Sequence, residues 1–383
     1  MAISPEKGFN PPSTLPAVYD HTDSPEKTLL PHLRPNLPYT MPLYRRIQFG
    51  HLSPHAHILA TIPIPNQQEN EASATNGAND APAPACFAAA YVDRSRRPET
   101  ECWIYLSQDD PAHAAPTACT CKESHLPALL AHVSTLPYSA LPPAQLADVW
   151  AAVRAAGAAE TAARHHAHTA APAARYLENL DRPALLKVGA MHAGGVEWAR
   201  ARGWLDGDGV GSLFAYRKYL FRHGSGGGGK GGEGPALPEG LRWGRVKSDA
   251  DIALVRSRTA IPKTHATLRR LPSVAVFPEE EGGEAAGPVA WVFLGVEGNL
   301  STLHVEPGYR GRGLAKAIGV KLLRESVSAF GEELGGLAHA DVALENKESN
   351  GVCKSLGGID EGWHVYWVRI DLDRVRAQVD GTQ

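Results

Sequence analysis

Apolar residues recur along this chain with two periods, and the periods alternate. From residue 289 to 296 the run Val-Ala-Trp-Val-Phe-Leu-Gly-Val is rich in β-branched and aromatic side chains, which predicts a strand. Glu297-Gly298-Asn299 carries the Gly-Asn pair of a hairpin turn, and Leu300–Val305 predicts the returning strand. In a regular strand Leu300, Thr302 and His304 face one way, and Ser301, Leu303 and Val305 the other. A bulge would break that alternation and re-aim His304. The period then changes. Leu314, Ile318 and Leu322 share one helical stripe, and Leu323, Val327 and Phe330 another, which predicts a helix buried on a broad face. A short strand at Leu337–Leu344, a helix at Lys347–Leu356, a Gly357-Gly358 stop and a strand at Trp363–Ile370 complete the pattern.

The first half reads as mixed α and β. Tyr44–Phe49, His57–Pro65, Cys86–Asp93 and Glu101–Leu106 predict strands. The Ala-rich stretch from Gln145 to Thr169 predicts a helix, and Leu213–Leu220 a late strand. Trp150, Trp198, Trp204 and Trp243 are expected in the core.

Composition then divides the chain. Its 383 residues suffice for two domains. Residues 1–30 are Pro-rich and expected to be flexible, and Asn66–Pro84 reads as a loop insertion between two strands. The nearly all-glycine run Gly224–Gly234 marks a linker over 224–236, separating an N-terminal α/β domain at 31–223 from a C-terminal domain at 237–383. That run also imitates the start of a phosphate-binding loop. However, Gly231 stands where Ser or Thr should hold Mg²⁺, and Gly232-Glu233-Gly234-Pro235 cannot continue as a helix.

An apolar content of 43% is globular, and a formal charge of −3 does not suit a dedicated nucleic-acid binder. Arg256, Arg258, Lys263, Arg269 and Arg270 read as a solvated helix face. No run approaches the roughly 20 apolar residues that span a bilayer, and the N-terminus lacks a secretory or transit pattern. Five cysteines form no disulfide framework, so a cytoplasmic location is the expectation. Cys119-Thr120-Cys121 reads as two thiols in a loop, and His165-His166-x-His168 as a solvated helix end. Each is a single cluster, where tetrahedral zinc needs four ligands, so no metal is expected.

The chemistry concentrates between the second strand and the long helix. Pro307-Gly308-Tyr309-Arg310-Gly311-Arg312-Gly313 places a turn of bare amides at a helix N-terminus. Unpaired amides and the helix dipole both favour a bound pyrophosphate. Gly311 and Gly313 can adopt positive φ and admit a phosphate close to the main chain, and Arg310 and Arg312 add fixed charge.

Arg310-x-x-Gly313-x-Ala315 resembles the acyl-CoA turn of the GNAT N-acetyltransferase superfamily. Asn346-x-x-Ser349-x-x-Val352-Cys353-x-x-Leu356-Gly357 is similar to that superfamily's later Asn-containing segment, at the right spacing. Within the superfamily the likeness is to the glycine N-acyltransferase-like branch. It is carried by Leu271–Val276, Gly287–Trp291, Pro307–Arg310 and Trp363-x-x-x-Trp367, is clear over Arg242–Leu372, and is fainter at Asn36–Tyr44. The resemblance implies an α/β fold with a mixed, mostly antiparallel sheet flanked by helices. It also implies two tandem GNAT-like halves, the first having lost its CoA turn; an unrelated α/β cap is the alternative.

The resemblance further implies an acyl-CoA-dependent N-acyltransferase that moves acetyl or another short acyl group to a primary amine. The cosubstrate would contact Leu303, His304 and Val305 on the strand, Arg310, Gly311, Arg312, Gly313, Leu314 and Ala315 at the turn, and Asn346 and Ser349 beyond. The Leu303 amide would polarise the thioester carbonyl. The branch's general base is acidic, but that position holds Asn299, which cannot take a proton at neutral pH. His304, Glu297 or a water relay must then serve. The superfamily's tyrosine donor to the CoA thiolate is replaced by Cys353, which could donate from a thiol or simply fill the core. A catalytically weak acyl-CoA-binding protein with a partner-binding first half is the alternative function.

Overall fold

The computed structural model describes residues 15–50, 52–64, 86–111, 119–138, 140–162, 177, 180–206, 214–222, 236–259, 261–279, 286–327 and 336–381. Asn66–Pro84, the histidine cluster at 165–168, the Gly224–Gly234 run and Phe330 lie outside the described residues. Two compact units share the chain. One contains Met1–Ala140, Asn179–Leu213 and Tyr366–Gln383, and the other Leu141–Glu178 and Phe214–Val365.

The first unit begins with β1 (Tyr19–Asp20), which pairs with β2 (Ala56–Ala60). Between them lie α1 (Pro25–Thr28), α2 (Leu30–Leu33) and α3 (Met41–Phe49). Residues 15–30, expected to be flexible, are therefore partly ordered, and Leu29 and Leu30 are buried. The strand expected at Tyr44–Phe49 is also corrected, because it is the body of α3. Pro42 occupies the first turn, where its missing N–H costs nothing, and Leu43, Tyr44 and Ile47 recur at helical spacing and are buried. β3 (Ala88–Asp93) and β4 (Cys102–Leu106) extend the antiparallel run. After α4 (Leu126–Thr135), β5 (Leu185–His192) returns parallel to β4 and is followed by α6 (Ala193–Ala201).

In the second unit, α5 (Pro143–Ala162) precedes β6 (Tyr216–Arg222) and β7 (Leu241–Gly244). Next come α7 (Asp249–Arg256), α8 (His265–Arg270), β8 (Ser273–Pro278), β9 (Ala290–Leu294) and β10 (Leu300–Val305). The chain continues through α9 (Leu314–Ser326), β11 (Leu337–Ala343), α10 (Lys347–Ser355) and β12 (Ile359–Asp371), and α11 (Leu372–Asp380) belongs again to the first unit. β7, β8, β9 and β10 form an antiparallel run, and a parallel bridge joins the start of β10 to β11.

Both units thus share one plan. Each has a first strand, helices, three more antiparallel strands, a helix, a strand parallel to the fourth, and a further helix. The fold is the expected α/β arrangement of two tandem GNAT-like halves. The units do not follow the 224–236 boundary. β6, from before the glycine run, lies beside β11, while the last residues of the chain build the core of the first unit.

The second unit has a core on each face of its sheet. On one face, Leu314, Ile318, Leu322 and Leu323 of α9 pack with Val274, Val276, Val292, Leu294, Ala338 and Ala340. Each such buried leucine, isoleucine or valine contributes roughly 1.5–3 kcal/mol. On the other face, Trp291 and Phe293 pack with Ile252, Val255 and Leu268 of α7 and α8. Trp204 is fully buried in the first unit, but Trp150 is exposed, contrary to expectation. It sits on α5, whose apolar residues are mostly alanines and mark no single buried face.

Candidate active site

The turn between β10 and α9 is open. Gly311 has φ +75° and Gly313 φ +76°, conformations that cost other residues about 1–2 kcal/mol. A Cβ at either position would meet nothing within 4 Å, so backbone conformation, not crowding, calls for glycine here. Arg310 to Gly313 are exposed. Among the described residues the amides of Gly311 to Lys316 donate no hydrogen bond; the first helical bond runs from Ala317 N–H to Gly313 O, at 3.0 Å. Arg310 Nε donates to Val305 O at 3.0 Å, and the Arg312 guanidinium lies 5.3 Å from the Tyr309 ring centre. Bare amides, a helix dipole and two guanidiniums therefore converge without obstruction.

Beside the turn, β10 is the edge of its antiparallel run. Its described contact with β11 is one bridge, Asn299 to His339, with His339 N–H donating to Gly298 O at 3.3 Å. Past that point the outer edge of β10 has no ladder partner among the described residues. β10 also carries the bulge that the sequence left open. Its register shifts between Ser301 and His304, and Thr302 takes φ +55°, a strained value for a β-branched residue. The simple alternation expected of Leu300–Val305 is corrected accordingly. Ser301 lies opposite Phe293 and His304 opposite Trp291, so both join the face covered by α7 and α8. Leu300, Leu303 and Val305 pack on the α9 face.

His304 stacks on Trp291, with ring centres 4.7 Å apart and an interplanar angle of 24°. Its Nε2 is buried without a hydrogen-bond partner and lies 3.8 Å from Glu306, too far for a bond. Glu306 is held by Arg258 at 2.8 Å. Burial pushes the His304 pKa below the ordinary imidazole value, with Glu306 opposing. A half-buried neutral imidazole with a free nitrogen can accept a proton.

Where β10 and β11 part, three buried side chains meet that the sequence reading missed. Lys218 on β6 donates to Asp341 on β11 at 2.6 Å, and its Nζ lies 3.2 Å from His339 Nδ1. His339 Nε2 lies 3.0 Å from the Glu297 carbonyl. A carbonyl only accepts, so Nε2 carries the proton and Nδ1 accepts from the ammonium. Burial alone would raise the Asp341 carboxyl, but the Lys218 ammonium overrides it and holds it well below the usual carboxylate range. An alternating polar residue in an otherwise apolar strand was the available signal in His339-x-Asp341.

The remaining candidates take different places. Glu297 is in the hairpin turn and nearly buried, and its carbonyl receives His339. Asn346 caps α10, its side chain accepting from Ser349 N–H at 3.0 Å. Asn350, not singled out from the sequence, accepts from Tyr219 Oη at 2.9 Å and donates to Ala343 O at 3.0 Å. Cys353 is buried in the α9-face core, and burial pushes its thiol up to about 12, with Asp341 adding to the rise. That makes it a poorer proton donor than a free thiol. In the first unit Cys86 joins Cys119 and Cys121, so the latter two are not simply thiols in a loop. No described helix is long and apolar enough to cross a membrane.

Known proteins supply the class. The family model for the acyl-CoA N-acyltransferase verG N-terminal domain matches residues 15–219, more than half of the chain. The chain belongs to this acyl-CoA N-acyltransferase family and, with its two GNAT-like halves, to the wider superfamily of acyltransferases. No curated protein matches the sequence.

Three solved structures are similar at low identity. One is a Drosophila protein (13% identity, TM-score 0.49, covering 92% of this chain and 98% of that one). Another is a tandem GNAT protein from the clavulanic acid biosynthesis pathway (11%, TM-score 0.44, covering 93% and 98%). The third is a GCN5-related N-acetyltransferase from Kribbella flavida (13%, TM-score 0.33, covering 51% and 75%). The family match falls on the half where the sequence resemblance is fainter, whereas the open turn lies in the other half.

Proposed function

We propose that the second unit transfers a short acyl group, such as acetyl, from acyl-CoA to a primary amine by direct attack on the bound thioester. The observation that carries this reading is the unobstructed amide turn at Gly311–Ala315, set at the end of an edge strand. The pyrophosphate accepts hydrogen bonds from the amides of Gly311, Arg312, Gly313, Leu314 and Ala315, with Arg310 and Arg312 beside it. The pantetheine amides lie along the free edge of β10, and the Leu303 N–H polarises the thioester carbonyl.

The amine approaches from the α7–α8 side, where the bulge turns Ser301 and His304. His304 Nε2 takes the ammonium proton. The neutral amine attacks the carbonyl carbon, the C–S bond breaks, and CoA leaves as a thiolate. Glu297, with its carbonyl tied to His339, and Cys353, a weak acid in the core, serve the structure. Asn299 at the branch's acidic position favours the second reading, a protein that binds acyl-CoA with little turnover.

The test has two arms. Gly313→Glu places a carboxylate in the turn and should abolish the protection that CoA gives against heating, while the free protein melts only the few degrees lower that a side chain at positive φ costs, about 1–2 kcal/mol. Unchanged protection overturns the site. Release of free CoA thiol with a panel of amines separates transfer from binding alone.

A further inference from the structure

In the first unit, the connection from β4 to α4 is the counterpart of the turn that joins β10 to α9. It holds thiols instead of glycines. Cys119 and Cys121 precede α4, and Cys121–His125 forms a single five-residue π-turn, a feature frequent at functional sites. Cys86 precedes β3, whose first residue Ala88 faces Leu106 at the end of β4. The antiparallel register therefore carries all three cysteines to one end of the sheet.

Their sulfurs lie 2.9 Å (Cys86 to Cys119), 3.0 Å (Cys86 to Cys121) and 3.2 Å (Cys119 to Cys121) apart. His125 is one turn beyond Cys121, and its ring reaches Cys86. Its Nδ1 lies 2.7 Å from Thr61 Oγ1. Thr61 is itself fixed by the Ala88 N–H, which donates to Oγ1 at 3.0 Å. A histidine held at Nδ1 by a neighbouring oxygen, with its ring beside one thiol of a three-sulfur cluster, is the side chain placed to complete a tetrahedral set.

We propose that Cys86, Cys119 and Cys121 form the core of a closed, structural site for a zinc-class divalent cation, with His125 swinging in from beside Cys86 as the fourth ligand. Three sulfurs and one imidazole nitrogen leave no open position for a reacting water, so the ion would fasten the start of β3 to the start of α4 and do no chemistry. Binding replaces the thiol protons with the cation and releases them to solvent; no electron moves. A tetrahedral ion with Zn–S near about 2.3 Å sets the sulfurs about 3.8 Å apart, so loading spreads the triad by roughly 0.6–0.9 Å per edge. The inference is independent of the acyl-transfer reading.

The full chain, purified without added metal or chelator, should carry one zinc per molecule by elemental analysis. Loading with Co²⁺ should give the thiolate charge-transfer absorption and intense visible bands of a tetrahedral sulfur site. Cys119→Ser, at the partly exposed ligand, should lower bound metal at least tenfold and abolish the cobalt charge-transfer bands. Thiol titration of the unfolded, chelated wild-type chain should count all five cysteines. Metal-free protein that gives no such cobalt bands overturns the proposal. So does a count of three thiols, which would place a disulfide within the triad, or zinc content unchanged in Cys119→Ser. The cobalt and thiol measurements use the wild-type chain and stand even if the variant fails to fold.

Discussion

Asp341→Asn should be among the most damaging single substitutions in the second unit. Asp341 and Lys218 are 2% and 1% exposed and 2.6 Å apart. Removing one partner of a buried pair leaves the other charge uncompensated, at a cost of about 3–5 kcal/mol. For a unit of roughly 150–250 residues each kcal/mol moves the melting temperature by about 2–4 °C, so the expected loss is roughly 6–20 °C. Calorimetry of the full chain would follow the transition that CoA shifts. Lys218→Met with Asp341→Leu removes both charges, and should cost less than either single change. Acid gives an independent check. The folded carboxyl is depressed, so its contribution is complete above the unfolded value of about 3.9 and is lost as pH falls through the folded value. That acid sensitivity should weaken in Asp341→Asn. A single variant melting within about 1 °C of wild type, or a double variant as damaged as the sum of the singles, would refute the reasoning.

Two further outcomes are expected. His304→Ala should lower kcat/KM for amine acylation by about 10²–10⁴-fold and leave CoA protection intact. Because burial lowers the imidazole pKa and the base works unprotonated, wild-type activity should fall only below the ordinary imidazole range near pH 6.5, and the variant should lack that limb. A variant as active as wild type would return the proton to water. Gly358→Ala would set a Cβ 2.8 Å from the Cys353 carbonyl oxygen and 2.8 Å from the Phe221 ring. A backbone oxygen cannot swing aside, so about 1–3 kcal/mol should be lost in chemical denaturation, and a neutral result would contradict the packing.

Local chemistry was legible in the sequence where it depended on local backbone. The turn at Gly311 and Gly313, the long helix after it and the hairpin before it all follow from residues near in sequence. Features set by distant partners were not. Lys218 and Asp341 are 123 positions apart, and only β-pairing brings them together. Cys86 joins Cys119 across 33 positions in the same way, so a C-x-C alone gave no hint of its third member. Tyr44–Phe49 misled for a different reason. Its apolar spacing suits either period over six residues, and the proline before it decided for a helix.

The least local feature also fixes what can be expressed alone. The glycine run suggests 237–383 as an independent domain, yet that fragment omits β6. Seven register pairs, from Leu337 with Arg222 to Ala343 with Tyr216, hold β6 against β11. Without them β11 offers an open edge to other chains. The fragment also loses Lys218, leaving Asp341 unpaired, and the buried Tyr219, Leu220 and Phe221, each worth about 1.5–3 kcal/mol. Together these exceed much of the roughly 5–15 kcal/mol that stabilises a domain. Meanwhile the fragment carries Val368, Ile370, Leu372, Val375 and Val379, which belong to the core of the first unit and would have nothing to cover them. It should therefore aggregate and show no CoA-dependent melting, whereas 214–365 keeps β6, drops the orphaned tail and should be the more soluble of the two. A monomeric 237–383 fragment that melts cooperatively and is protected by CoA would show that β6 is dispensable and that the segment exchange does not matter for the stability of the second unit.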